Sequence, residues 1–242
     1  MNAIIGTAGS SIARDAADAF PTEGTSLERY ASVFHGVEIN SSFHRPHRVS
    51  TWEKWGASVP SGFRFAVKMP KTISHERKLV DCEELVGAFL REAGALGEKL
   101  SVLLLQLPPK LGFDAAPVGG FLEYLLKRTT ARVVVEPRNE NWFDGEADAL
   151  LASLGVARVA ADPARTPEAA VPGGWMALRY WRLHGSPVMY RSPYGAERVA
   201  GYAEEMRQAI AEGAEAWCMF DNTASSAATG DALMLQAALA EL

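Results

Sequence analysis

Short apolar runs alternate along the chain with longer stretches in which apolar positions recur every three or four residues. The runs are Ala3–Gly6, Val37–Ile39, Phe63–Val67, Val102–Leu107, Val133–Val135, Ala157–Ala161, Met176–Leu183 and Trp217–Phe220. Their lengths suit strands. Several are continuously apolar, as expected when helices cover both faces of a parallel sheet. Between them, Leu27, Tyr30, Ala31 and Phe34 form a helical stripe. Residues 81–97 predict a second helix, with Asp81 as its N-cap. Helices are also expected over 117–128, over 144–154 with Gly155 just past the end, over 196–211, and over the Ala-rich 224–241. The crossover 40–62 reads as loop-rich, with a short helix near Trp52 and Trp55. The Pro/Gly-rich stretch 162–174 reads as lacking a helix.

Strand–helix alternation implies parallel pairing with right-handed crossovers. Eight such units predict an α/β fold of one kind above others: a single TIM-like (β/α)8 barrel with some irregular or missing crossover helices. No linker-like shift in composition appears, so residues 1–242 are expected to form one domain.

Composition narrows the function classes. The chain has 242 residues and is 48% hydrophobic, enough for a large core. Its 24 basic and 29 acidic residues give a net charge of −5, which argues against bulk attraction to nucleic acid or an anionic membrane. No run of about 18 apolar residues suggests a membrane span. The first residues lack the pattern of a signal peptide, so the cytoplasm is the expected location. Cys82 and Cys218 lie far apart without metal-type spacing and read as reduced structural thiols. The oligomeric state is not encoded in any pattern of the sequence.

Polar residues close nearly every run: Thr7, Glu38, Lys68, Gln106, Glu136 with Arg138, Asp162, Arg182 with His184, and Asp221 with Asn222. In a parallel barrel these ends meet on one face, where active sites lie. Residues two apart on extended chain share a face, so Glu136 and Arg138, like Arg182 and His184, can point together into the mouth. Glu136 fits an acid/base or an acceptor, and Arg138 an anion clamp; an internal ion pair stiffening the rim is the equal alternative. Arg182 offers a planar fork for carboxylate or phosphate, and His184 titrates near neutrality. A partly desolvated Lys68 could be a nucleophile or base, although an ion pair with Glu38 or Glu136 is the simpler reading. Glu38, Glu136, Asp162, His184 and Asp221 are potential divalent-metal ligands. The absence of a His pair at ligand spacing and the nearby Arg and Lys disfavour a metal, and no cofactor is predicted. Gly119-Gly120 and Gly173-Gly174 do not form a nucleotide fingerprint. Phe43, Trp142, Tyr180, Trp181, Tyr190 and Tyr194 either shape a pocket or pack the core.

The blocks GTAGS, LERYASVFHGVEINSSFHRP, FRFAVKMPKTISH, LLLQLPP, VVVEPRNENW, RLHG and FDNTASSAA, in this order over nearly the whole chain, resemble the YecE-like family (DUF72). That resemblance implies a TIM barrel without an established reaction. It carries over Glu38, Lys68, Gln106, Glu136, Arg138, Arg182, His184 and Asn222, and suggests that His75 lies on a loop over the mouth. The chain departs from the family pattern at Ser10 (for Trp), His44 (for Tyr), Asn139 (for His) and Asp221 (for Asn), positions that bear on which ligand is taken.

The reading these observations favour is a small-molecule enzyme. Glu136 and His184 would transfer protons, with Lys68 and Glu38 tuning the site. Arg138 and Arg182 would hold an anionic small-molecule ligand, and Gln106, Asn222, Thr7 and His75 would complete the contacts. A non-catalytic metabolite-binding module and a metal-dependent hydrolase or isomerase are the alternatives.

Overall fold

In the computed structural model, which describes residues 3–240, strands form within every apolar run. They are β1 (Ala3–Thr7), β2 (Gly36–Ile39), β3 (Arg64–Lys68), β4 (Leu100–Gln106), β5 (Arg132–Glu136), β6 (Ala157–Arg158), β7 (Ala160–Asp162), β8 (Gly173–Gly174), β9 (Leu178–Leu183) and β10 (Glu215–Phe220). The helices are α1 (Ser26–Ala31), α2 (Ser41–His44), α3 (Val49–Ala57), α4 (Glu83–Ala93), α5 (Ala115–Leu126), α6 (Glu146–Ser153), α7 (Gly195–Ala211) and α8 (Ala227–Ala240). No helix among the described residues is long and apolar enough to cross a membrane.

Three local expectations need correction. Asp81 does not cap α4: it sits in a turn of left-handed residues with Lys78 and Leu79, and Cys82 precedes the helix without a side-chain cap. The crossover 40–62 holds two helices, α2 and α3, rather than one. The stretch 162–174 contains a 3-10 turn at Pro167–Ala170 and the two-residue β8, which runs antiparallel to β6.

The strands form two sheets rather than one uninterrupted ladder. β1, β10, β9 and β7 make a four-stranded sheet, and β2, β3, β4, β5, β6 and β8 a six-stranded mixed one. The sixth run splits because the chain leaves one sheet for the other at Val159, whose N–H still donates to Val135 O at 2.9 Å. At the other seam Ala8 bridges Glu38, and Gly9 N–H donates to Glu38 O at 2.8 Å. There the backbones come too close for side chains. A Cβ on Gly6 would lie 2.2 Å from Gly36 O, and one on Gly36 would lie 2.3 Å from Ile4 Cγ2.

The fully buried Tyr30 of α1 closes this seam with its phenol. The hydroxyl accepts from Thr7 N–H at 2.8 Å and donates to Gly36 O at 3.2 Å. It thus substitutes for ladder bonds that β1 and β2 do not make directly. Burial raises the Tyr30 pKa far above its ordinary value, so the phenol stays a neutral donor.

Side-chain alternation sorts the core. Ile4, Ala66, Val102, Leu104, Val134, Val159, Leu178, Tyr180, Trp217 and Met219 pack against one another as an inner cluster. Their immediate neighbours Ile5, Phe65, Val67, Leu103, Leu105, Val133, Val135, Trp181, Cys218 and Phe220 face the helices in a larger outer cluster. This two-residue period fixes which polar residues at the strand ends can meet.

Tyr30→Phe removes the hydroxyl while keeping the ring, leaving Thr7 N–H and Gly36 O without that partner. Unfolding in urea should show a loss of about 1–3 kcal/mol, the range for orphaning buried polar groups. A loss below a few tenths would mean the phenol does not bind the seam.

Candidate functional site

Continuing the inner alternation one step past the apolar layer gives Glu38 on β2, Lys68 on β3, Gln106 on β4, Glu136 on β5 and Arg182 on β9. Two more inner positions, His184 and Asp221, lie just beyond β9 and β10. Six of these seven carry charge or a titratable ring, and all are buried or half-buried.

Arg182, 1% exposed, is the hub. Its Nε donates to the Glu38 carboxylate at 3.0 and 3.2 Å, and its Nη2 donates to Glu38 Oε1 at 2.7 Å and to Asp221 Oδ2 at 3.0 Å. Its Nη1 donates to Glu136 Oε2 at 2.5 Å. Tyr180 completes the lower side, donating its hydroxyl to Glu38 Oε2 at 2.9 Å. One guanidinium therefore ties carboxylates of the six-stranded sheet, Glu38 and Glu136, to the four-stranded sheet. With every nitrogen engaged, Arg182 has no free edge for a ligand.

His184 bridges two of the same carboxylates. Nδ1 lies 3.0 Å from Asp221 Oδ2, and Nε2 lies 3.0 Å from Glu136 Oε1 and 2.8 Å from Arg138 Nη2. Nε2 thus faces an acceptor and a donor at once. A ring protonated only on Nδ1 donates to Asp221 and accepts from Arg138. A doubly protonated ring donates to both carboxylates, and Arg138 must then turn away. Arg138 also pairs with Glu136, but its Nε and Nη1 make no hydrogen bond among the described residues, and 12% of its side chain is exposed.

Electrostatics follow the geometry. Burial alone would raise the Glu136 carboxyl, but Arg138, Arg182 and His184 outweigh it and hold the group well below the glutamate range. Burial likewise opposes the charge on Asp221, and Arg182, His184 and Lys68 pull it down. For Arg182, burial is overcome by Glu136, Glu38 and Asp221, which fix its positive charge. Lys68 goes the other way: burial and then Arg182 lower its ammonium pKa, against the pull of the three carboxylates.

The opening is bordered by rings. Lys68 Nζ sits 4.1 Å from the Phe43 ring centroid. His75, in a single π-helical turn at Thr72–Glu76, and His44 both approach Phe43 edge-on at 5.0 Å. Across the cluster Tyr190 meets His184 edge-on at 5.7 Å, held in a left-handed conformation with φ of 66°. Its loop is pinned by Ala224 N–H to Tyr190 O at 3.0 Å and by Asn222 Nδ2 to Ser192 O at 3.0 Å. Beside Phe43 opens an apolar cleft of about 300 Å³ that also takes in Pro46, Pro70, Leu85 and Phe89.

Other candidates lie elsewhere. Thr7 has the parity of Ile5 and turns toward α1, its hydroxyl 3.0 Å from Tyr30 Oη, so it does not join the cluster. Asn222 follows Phe220 outward, with Nδ2 on Asp231 at 2.7 Å. Asp162 also points outward, to Arg198 and Tyr202 of α7. Gln106 shares the inner face, but its Nε2 donates to the adjacent Leu107 O at 2.9 Å, with no bond to the cluster. Of the six aromatics, Phe43 and Tyr190 border the opening and Tyr180 lies beneath the cluster. Trp142, Trp181 and Tyr194 belong to the outer packing. Among the described residues no three His, Cys, Asp or Glu side chains are grouped so as to hold a metal ion. Asp221 was an available signal that strand-end position alone undervalued; counting in twos from Trp217 places it inward.

Fold and site together define an α/β protein that gathers a buried ionic network at the carboxyl ends of its strands. The chain belongs to the family described as "Protein of unknown function DUF72", whose profile matches residues 4–242. A DUF72 protein from Enterococcus faecalis superposes with a TM-score of 0.81 at 20% identity, over 99% of this chain and 96% of that one. One from Thermotoga maritima gives 0.80 at 22% identity, over 99% of each. At those identities the likeness is one of fold. The UPF0759 protein YecE of Escherichia coli is 36% identical over 88 residues, which span 36% of this chain and 32% of YecE.

Two outcomes follow. Arg182→Leu leaves Glu38 and Glu136 buried without their shared partner, and equilibrium unfolding should register a loss of about 3–5 kcal/mol; a loss under 1 would show that the network carries no load. Stability should also fall in acid. Glu136 and Asp221 titrate lower in the folded chain than their ordinary 4.5 and 3.8. Their contribution is therefore full above about pH 5 and is lost as pH drops through the folded values. Urea midpoints between pH 7 and pH 3 should decline in the parent and decline less steeply in Glu136→Gln.

Proposed function

We propose that the two sheets act as one TIM-like barrel and that its carboxyl-end mouth binds an anionic small organic molecule and transfers protons on it. What carries this reading is the division within the cluster. Arg182 neutralises the carboxylates from below, while two further cations are not fully engaged: among the described residues Arg138 bonds only through Nη2, and Lys68 rests on the Phe43 ring with no carboxylate ion pair. A site built only to stiffen the fold has no need of two further cations there.

The roles differ from those expected of the residue types alone. Arg182 is structural, so the clamp falls to Arg138, whose Nε and Nη1 are each free to donate to an oxygen of a carboxylate or phosphate. Glu136, held deprotonated by three neighbours, is a poor acid and a weak base. Its work is to orient His184 and stabilise the charged ring, leaving His184 as the group that gives or takes a proton. Glu38 is occupied by Arg182 and Tyr180 and acts as support. The apolar cleft beside Phe43 suits the ligand's carbon skeleton, with His75 edge-on to the same Phe43 ring and Tyr190 against His184. The negative whole-chain charge speaks for a small ligand over nucleic acid or membrane.

A thermal-shift screen of small carboxylates and phosphates tests this. An anion present at a hundred times its Kd stabilises the folded chain by about 2.7 kcal/mol. That stabilisation should disappear in Arg138→Gln, which keeps most of the side chain and all of the Arg182 network. Equal stabilisation of parent and variant would refute the clamp.

A further inference from the structure

Lys68 differs from every other charged group of the cluster. Among the described residues no carboxylate oxygen lies within 4.0 Å of its Nζ, while Glu38, Glu136 and Asp221 are all engaged by Arg182. Its backbone is fixed: it ends β3 in register with Leu104, and Ser42 Oγ donates to its carbonyl at 2.7 Å. Its nitrogen rests on the Phe43 ring at the opening. A lysine kept merely for charge balance would be expected to reach one of three nearby carboxylates. Here the guanidinium takes them all, and the amine is left partly desolvated beside a fixed positive charge. Both conditions favour the neutral, nucleophilic form.

We infer that Lys68 is an imine-forming nucleophile and that the ligand of this mouth is a small oxo acid, its carbonyl carbon taken by Lys68 Nζ and its carboxylate by Arg138. This rests on the anion-site reading above and adds the reaction class. The neutral amine gives its electron pair to the carbonyl carbon, the carbonyl π bond opens onto oxygen, and a proton passes from nitrogen to that oxygen. The resulting carbinolamine receives a second proton on oxygen from the doubly protonated His184, the C–O bond breaks, water leaves, the nitrogen lone pair forms the C=N bond of an iminium, and that iminium returns its N–H proton to His184. Amine plus carbonyl thus becomes imine plus water, with no external oxidant or reductant. His184, which can carry a proton on either nitrogen, lies in the same cluster to relay these protons.

The test is reductive trapping. The full chain is incubated at neutral pH with pyruvate, and separately with acetoacetate, each with cyanoborohydride, then digested and mapped by mass spectrometry. Lys68 should acquire one reduced adduct ahead of exposed Lys127 by a factor on the order of ten or more, as a held reactant gains over a diffusing one. The preference should shrink at high pH, where surface lysines also lose their protons. Lys68→Arg keeps the cation but cannot form an imine. It should show no adduct at position 68, with the labelling of Lys127 unchanged. If neither compound labels Lys68 faster than Lys127, the inference is overturned. Should carboxylates still stabilise the parent but not Arg138→Gln, the anion site survives that failure; should they stabilise neither or both alike, the site falls with it.

Discussion

A guanidinium that is almost wholly withdrawn from water persists only if its charge and its donors are met on every side, because an unpaired buried ion costs several kcal/mol. Arg182 meets that condition with three carboxylates carried by three strands, Glu38 on β2, Glu136 on β5 and Asp221 just past the end of β10. Two of those strands belong to one sheet, and the third, like Arg182 itself, belongs to the other. The arrangement therefore crosses the molecule and fixes the relative positions of strand ends that share few direct ladder bonds. It also sets the state of its surroundings. Carboxylates consumed by Arg182 are unavailable to Lys68, and a Glu136 already satisfied from below tolerates only a partial hold on Arg138. What remains at the opening is cationic and under-employed because of what is saturated beneath it.

The same saturation separates support from chemistry. Glu38, Tyr180 and Arg182 form a closed set with no lone pair or proton directed at solvent. Above them His184 is caught between Asp221 and a choice of Glu136 or Arg138. A ring so placed has a defined orientation but an undecided proton. Arg138 decides the matter, since Nε2 can donate to Glu136 only when Arg138 turns aside.

How far the sequence foretold this depends on which period was read. The apolar runs located the strands because β-branched and aliphatic residues concentrate where both faces are covered. Gly173-Gly174 offers no such signal, and β8 was invisible. Strand-end position drew Glu38, Lys68, Glu136, Arg182 and His184 into one candidate set, and they do come together. It also drew in Thr7, Asp162 and Asn222, whose phase on their own strands sends them toward the helices. Counting in twos from Ile5, Ala160 and Phe220 separates them. No count reveals how many donors Arg182 has spent, since its partner Glu38 lies 144 positions away. That Arg182 is fully spent and Arg138 is not emerges only from the pairing. Tyr30 was legible as a helix residue packing inward, but not as the splice between β1 and β2, which depends on two glycines bringing backbones together.

The rim obeys a looser rule than the network it surrounds. Glu38, Glu136 and Arg182 depend on one another so closely that replacing any one of the three strands a buried charge, whereas Asp221, where the family pattern has Asn, is the member of the network that has changed. Phe43, His44, His75 and Tyr190 stand under no such obligation. Within a lineage the ionic floor should stay put while these rings drift, so that relatives with the same foundation can come to prefer different molecules.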